Sequence, residues 1–487
     1  MKSIAPSFSP GGRLDDWLSP ILVKELRQGM RARVFILSFL LLQVFLVVLV
    51  LGNVAAENDH NTLETQNYFF WVITGFALLV LMPIRGLGAI SQEVKSHTME
   101  TIMLTRLTAW RVVFGKWSAL FAQSLLLVSA VLPYVVLRYF IGGDDVVSDF
   151  EWIFLMLWFS GILIAAGIAI SGLANLVIRV AVLVGVFVTA VTGSDTFFSS
   201  GIMRGSVGEV IGWLVSFGFF IPALLFELTA SGIAPASENH AVRRRLLALL
   251  FFVIAAGLTW ATHSDFQPGL VVPLIILIGV CYFDLAEKPR LLPRMIQPAA
   301  RRGVAARIAA LFLLPGWPSA LLFSLVVIPP AMGLVYHFIP PDAKTGWLLP
   351  ITAVFGSVLT PVLLCHFFWP KTNQVLLVVL LYNVILMAVA SLLEGFASLT
   401  HSHVDQVLAL VPSFPVLMVT LSAQQDAESV ADFTTWTLLG NSFVLTVLVL
   451  VLFVASRRYF RDLAALFRSA DSLKSSPDKV EPSPAMP

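Results

Sequence analysis

The chain has 487 residues, 58% of them hydrophobic and 12% charged, with a mean hydropathy of +0.88. Soluble domains carry roughly 25% charged residues, and half that charge could not cover an aqueous surface, so the composition excludes a water-soluble globular protein and implies a polytopic membrane protein. The formal net charge of +2 implies no nucleic-acid partner, and Cys281 and Cys365 stand in apolar segments without ligand spacing, as packing residues do.

Residues 1–33 are assigned to a cytoplasmic N-terminus. They lack an apolar region followed by small cleavage-site residues, so no cleavable signal is expected. Ser19 followed by Pro20 reads as a helix start, with a capping hydroxyl and a proline at the first helical position. Beyond it Ile21, Leu22, Leu26 and Met30 can face lipid while Lys24, Arg27, Gln28 and Arg31 face water and headgroups, which predicts an interfacial helix ahead of the first span.

Apolar windows of about 20 residues predict spans over 34–54, 68–90, 118–140, 151–178, 180–198 and 207–230. In the second half they fall over 246–262, 269–286, 320–339, 347–368, 374–396 and 435–455, giving about twelve in all. Segment 407–421 is short and interrupted by Pro412 and Pro415, so it reads as an outer-face or re-entrant piece. Pro83, Pro133, Pro222, Pro273, Pro329 and Pro330 inside spans predict kinked or broken helices.

With the N-terminus inside, only Arg138, Arg204 and Lys344 of the 31 Lys and Arg fall on the far side, while Asp144, Asp145, Asp149, Asp265, Asp342, Asp426 and Asp432 fall there. The positive-inside rule therefore puts both termini in the cytoplasm. The expected fold is all-α and polytopic: a six-span core over 34–236, a second six-span membrane domain over 237–461, and a cytoplasmic tail over 462–487, Ser/Pro/charge-rich from Ser469 and largely disordered. Glu287 to Arg307, with three prolines and many arginines, reads as a linker within the second domain.

Between the second and third spans lies the most polar stretch of the first half, Ser91 to Trp117. At 100° per residue Met99, Ile102, Met103, Leu107, Trp110, Val113 and Phe114 share one stripe, and Glu93, Glu100, Thr101, Thr108 and Arg111 fall away from it. This predicts an amphipathic helix at the cytoplasmic face, although on periodicity alone an ordinary interfacial loop is the simpler reading.

Motifs of covalent chemistry are sparse. The only Gly-Lys pair, Gly115-Lys116, has Trp110 where a phosphate-binding loop needs its first glycine and Trp117 where it needs Ser or Thr, so ATP hydrolysis by that motif is not expected. No HExxH is present, and Gly440 to Ser442 lacks the rest of a nucleophile elbow. His401, His403 and Asp405 could hold a metal but read more simply as solvated surface. Glu57 and Asp59 resemble the acidic residues of membrane glycosyltransferases acting on lipid-linked sugars, in a loop too short for the outer domain of such enzymes. Ionisable residues within spans are functional suspects, since insertion costs about 3 kcal/mol; Glu227, Asp284 and Glu394 lie near predicted span ends, where they are expected to reach water. Gln43, Gln123, Asn175, Asn383 and Asn441 are internal but neutral. No metal or cofactor is expected in this chain.

The order of parts, an interfacial helix, two spans, a polar cytoplasmic helix and four more spans, resembles the membrane subunit of ATP-binding-cassette transporters of the type 2 exporter family. The resemblance is carried by Ser19-Pro20-Ile21-Leu22-Val23-Lys24-Glu25-Leu26-Arg27 and by Glu93, Thr98, Glu100, Thr105, Leu107 and Gly115-Lys116, where the family has a Glu, a Thr-x-Glu, a Thr-x-Leu and a Gly-Lys in this order. It covers roughly the first 235 residues. Arg106 stands where many members have proline, and neither motif has a second copy in the second half.

The resemblance implies a permease subunit in a cytoplasmic (inner) membrane, catalysing nothing itself. A coupling helix over 91–110 would dock into a separate ATPase subunit carrying ATP and Mg, and the chain would pair with its own copy or with a second permease, among membrane lipids. The alternatives are a membrane enzyme acting on lipid-linked substrates, through Glu57 or Asp59, and an ion-coupled secondary transporter sensitive at Glu227, Asp284 or Glu394.

Overall fold

A computed structural model describes residues 20–55, 60–91, 93, 108–142, 145–172, 207–235, 238–262, 267–289, 291, 295–296, 302–338, 344–368, 375–400, 411, 413, 416–417 and 427–474. Every regular element among them is helical. Eight helices are long and apolar enough to cross a membrane, and Gly269–Leu285, Val304–Leu313, Gly356–Cys365 and Leu377–Leu393 are shorter apolar helical stretches. The chain is a multi-pass, all-helical membrane protein. The expected windows coincide with helices except 180–198, which lies outside the described residues, as do most of 407–421.

The described residues fall into two compact units, Met1–Phe187 with Leu214–Ala234, and Val188–Trp213 with Pro235–Pro487. In the first, α1 (Pro20–Met30) precedes α2 (Arg33–Ala55), and α3 (His60–Gly75) runs through a π turn at Phe76–Leu81 into α4 (Met82–Gly86). Then come α5 (Ala109–Gly142), α6 (Val146–Gly172) and, from Leu214 onward, α7 (Val207–Ile233). Pro20 opens α1, as the sequence predicts; Ser19 lies outside the described residues.

The π turn leaves one carbonyl to be satisfied from outside. A π turn pairs each carbonyl with the N–H five residues on, and five on from Leu78 stands Pro83, which has none. Ser160 of α6 donates to the Leu78 carbonyl at 2.8 Å instead. Just beyond, Gly86 and Gly167 let α4 and α6 touch backbone to backbone: a Cβ on Gly167 would lie 2.5 Å from the Pro83 carbonyl oxygen. Elsewhere the predicted breaks are not seen, and the helices continue through Pro133, Pro222, Pro273, Pro329 and Pro330.

The second unit contains α8 (Ala241–Thr262), α9 (Gln267–Leu285), α10 (Val304–Leu313), α11 (Trp317–Phe338), α12 (Lys344–Phe368), α13 (Val375–Thr400) and α14 (Ala427–Lys474). The tail departs from expectation: α14 carries the chain as helix past Asp462 to Lys474. The reason is burial. Tyr459 and Leu463, with Leu466 and Phe467, close over Ile296, Ala310 and Leu314, an apolar stripe at helical spacing inside a segment whose average composition looks polar. Cys281 and Cys365 are both free and buried.

Candidate functional site

Of the residues singled out at 91–117, positions 92 and 94–107, with Thr98, Glu100, Thr105 and Leu107 among them, lie outside the described residues. Ala109 already begins α5, so Trp110, Val113, Phe114, Gly115 and Lys116 occupy the first turns of that 34-residue helix. Val113 is fully buried, and Trp110, Trp117 and the more exposed Phe114 gather about Phe226 of α7 with ring centroids 5.8, 5.4 and 6.2 Å away.

Helix α1 lies against the same turns. A Cβ on Gly115 would fall 2.8 Å from Ile21 Cγ2, so glycine is what lets α1 approach, and Ile21, expected to face lipid, packs on α5 instead. The approach brings three sequence-predicted residues together. The Lys116 ammonium, 5% exposed, donates to Glu25 of α1 at 3.0 Å and pairs with Glu93 at 2.8 Å. One cation from α5 thus fastens both the interfacial helix and the start of the polar segment. Glu25 and Glu93 keep 21% and 14% exposure, so water still reaches the joint. Lys24 and Arg27 point outward from α1 and are exposed.

Two further ties belong to this site and are not among the predicted residues. Arg85 at the end of α4 donates to the Gly29 carbonyl at 3.1 Å and to Gln123 Oε1, and lies over the Phe35 ring at 5.3 Å. A cation near the end of predicted span 68–90 is the signal that could have marked it. Ser171 Oγ accepts from the backbone N–H groups of Ile90 and Ser91 at 2.9 and 3.0 Å, satisfying donors at the turn that leads to Glu93.

At the other end of α5, Arg138 pairs with Asp149 at 3.2 Å and covers Phe70 and Trp71 at 4.3 and 5.5 Å. Lys116 and Arg138 are separated along the helix by about 33 Å at 1.5 Å per residue, close to the roughly 30 Å hydrocarbon core of a bilayer. The two ionic clusters bracket an apolar girdle of membrane thickness.

No protein-family model, curated protein or solved structure matches the chain. Its site is therefore read from its own residues.

Asp284 and Glu227 do not reach water as expected: they are 0% and 1% exposed. Asp284 is enclosed by Arg244 at 2.5 Å and Arg245 at 2.6 Å, and Arg245 also donates to the carbonyls of Phe312 and Leu314. Arg244 reaches Glu287 at 2.8 Å, and the Glu287 carbonyl accepts from Trp317 N–H, so the predicted linker is fastened at its start. Two guanidiniums close around one buried carboxylate satisfy its oxygens and tie three helix ends together, the geometry of a structural anchor. Among the neutral amides, Gln43 accepts from Tyr134, and Asn383 donates to the carbonyls of Ser357 and Val379. Glu57, Asp59, His401, His403, Asp405 and Asn175 lie outside the described residues, and so does the Glu394 side chain. Among the described residues no three His, Cys, Asp or Glu side chains cluster as metal ligands would.

Proposed function

We propose that this chain is the membrane-spanning permease subunit of an ATP-binding-cassette exporter, driven by a separate ATPase chain that binds ATP and Mg. The observation that carries the reading is the tie of Lys116 to Glu25 and Glu93. A push on the polar segment at 91–108 is transmitted through Glu93 to Lys116, and from there to α1 and to the whole length of α5. A rigid lever of this kind suits an external motor. It requires no proton-loading carboxylate within the spans, in keeping with the clamped state of Asp284.

In this reading about twelve spans place both termini and the 91–110 coupling element in the cytoplasm of a cell (inner) membrane. Thr98, Glu100, Thr105 and Leu107 contact the ATPase, and the chain pairs with its own copy or with a second permease. The test is purification of tagged full-length chain in mild detergent. An ATP-hydrolysing polypeptide is expected to accompany the wild type and to be lost with Glu100→Arg or Thr98→Asp. Co-purification indifferent to both changes would remove the coupling element from 91–110.

A further inference from the structure

The second unit carries a groove of about 670 Å3 between the end of α12 and the middle of α14, lined by Phe367, Leu450, Val451, Val454 and Ala455 and, further along α14, by Arg457, Arg458 and Arg461. On α14 these positions recur three and four apart (450, 454, 458 and 461), so one face of one helix turns from apolar to cationic without a break. The apolar walls are open, with Phe367, Leu450 and Val454 57%, 58% and 54% exposed. Among the described residues none of the three arginines makes an ion pair, in contrast to the clamped Arg244 and Arg245. The nearest carboxylate in sequence, Asp462, is exposed.

The level of the groove is fixed by its neighbours. Tyr459, between Arg458 and Arg461, meets Ser319 Oγ at 3.2 Å, and Ser319 follows closely on Leu314, whose carbonyl accepts from Arg245. The arginines therefore lie near the level of the Arg244–Asp284 cluster, where α8 and α11 begin and α9 ends, while α14 itself continues as helix. From Leu450 to Ala455 the apolar wall rises about 7.5 Å, roughly half of the 15 Å of hydrocarbon that a bilayer leaflet contributes.

We infer that this groove is a binding site for an acidic phospholipid, with an acyl chain along Phe367, Leu450, Val451 and Val454 and the phosphate held by Arg457, Arg458 and Arg461. Charge complementarity selects an anion, and the open apolar wall beside the arginines selects one that carries a chain. Guanidiniums suit the phosphate because their forked donors match its oxygens. The inference goes beyond the transport reading and is independent of it.

The test uses full-length chain in detergent, titrated with phosphatidylglycerol or phosphatidylcholine and read by native mass spectrometry. Wild type is expected to retain phosphatidylglycerol in preference to phosphatidylcholine. Changing Arg457, Arg458 and Arg461 together to glutamine is expected to weaken phosphatidylglycerol retention on the order of 100-fold, at about fivefold per arginine. Arg468→Gln, on the same helix beyond the groove, should leave retention unchanged. Val454→Trp fills the groove with every charge in place and should also reduce retention, which guards against a triple variant that folds poorly. Equal retention of the two lipids, or a triple variant that elutes as wild type and binds as wild type, overturns the proposal. So does displacement of the lipid by inorganic phosphate at equal concentration, which would make the site one for a free anion.

Discussion

The first unit and the second each gather charge at helix ends, and they do it in opposite proportions. At Lys116 one cation serves two carboxylates, Glu25 and Glu93, that are 21% and 14% exposed; at Asp284 one fully buried carboxylate serves two buried cations, with the more exposed Glu287 at the rim. A partly wetted cluster holds its helices together yet can exchange partners at modest cost, whereas a dry one cannot let go without stranding a charge. The difference marks the first cluster as a joint and the second as a lock, and only a joint suits the transmission of movement.

The sharpest way to break this comparison is Asp284→Ala. It leaves Arg244 and Arg245 buried without their shared counter-charge and is expected to cost about 3–5 kcal/mol, read as a fall in apparent melting temperature in detergent. Gly167→Ala probes the frame behind the joint. Its new methyl meets the Pro83 carbonyl oxygen, a backbone atom that cannot swing away, and the expected loss is about 1–3 kcal/mol. Lys116→Met should cost less than Asp284→Ala, about 1–2 kcal/mol, because Glu25 and Glu93 recover water; equal losses from the two variants would abolish the distinction between joint and lock. Ser171→Ala, which removes the acceptor for Ile90 and Ser91, is expected to cost about 1 kcal/mol and to speed amide exchange at those two positions, measured by hydrogen–deuterium exchange.

Hydropathy windows found the helices because a span needs length and an unbroken apolar run, both visible in one dimension. The π turn and the close passage of α4 over α6 were not visible, although Pro83 was, since the consequence of its missing N–H depends on Ser160 being near Leu78. The individual members of the joint were legible: Glu25, Glu93 and Lys116 each stand in a motif. Their meeting was not, because Lys116 and Glu25 are 91 residues apart and the contact depends on Gly115 admitting Ile21. The lock was missed for a different reason. Arg244 and Asp284 lie at the same end of consecutive helices, a signal that was present, but span-end charges were read one at a time as solvated. The same habit hid Arg138 and Asp149, 11 residues apart across a single turn of the chain. The tail was misjudged because its polar average concealed the stripe of Tyr459, Leu463 and Phe467.

The most direct measurement of the central claim is site-specific photocrosslinking from Thr98 in native membranes, with Asp145 as the control at the other end of α5 and the adducts probed with a photoreactive ATP. The joint-and-lever account predicts an adduct between Thr98 and an ATP-binding polypeptide, with none from Asp145. An adduct from Thr98 confined to the chain's own residues 237–461, or labelling of a Thr98→Cys variant by a membrane-impermeant reagent added outside intact cells, would contradict it.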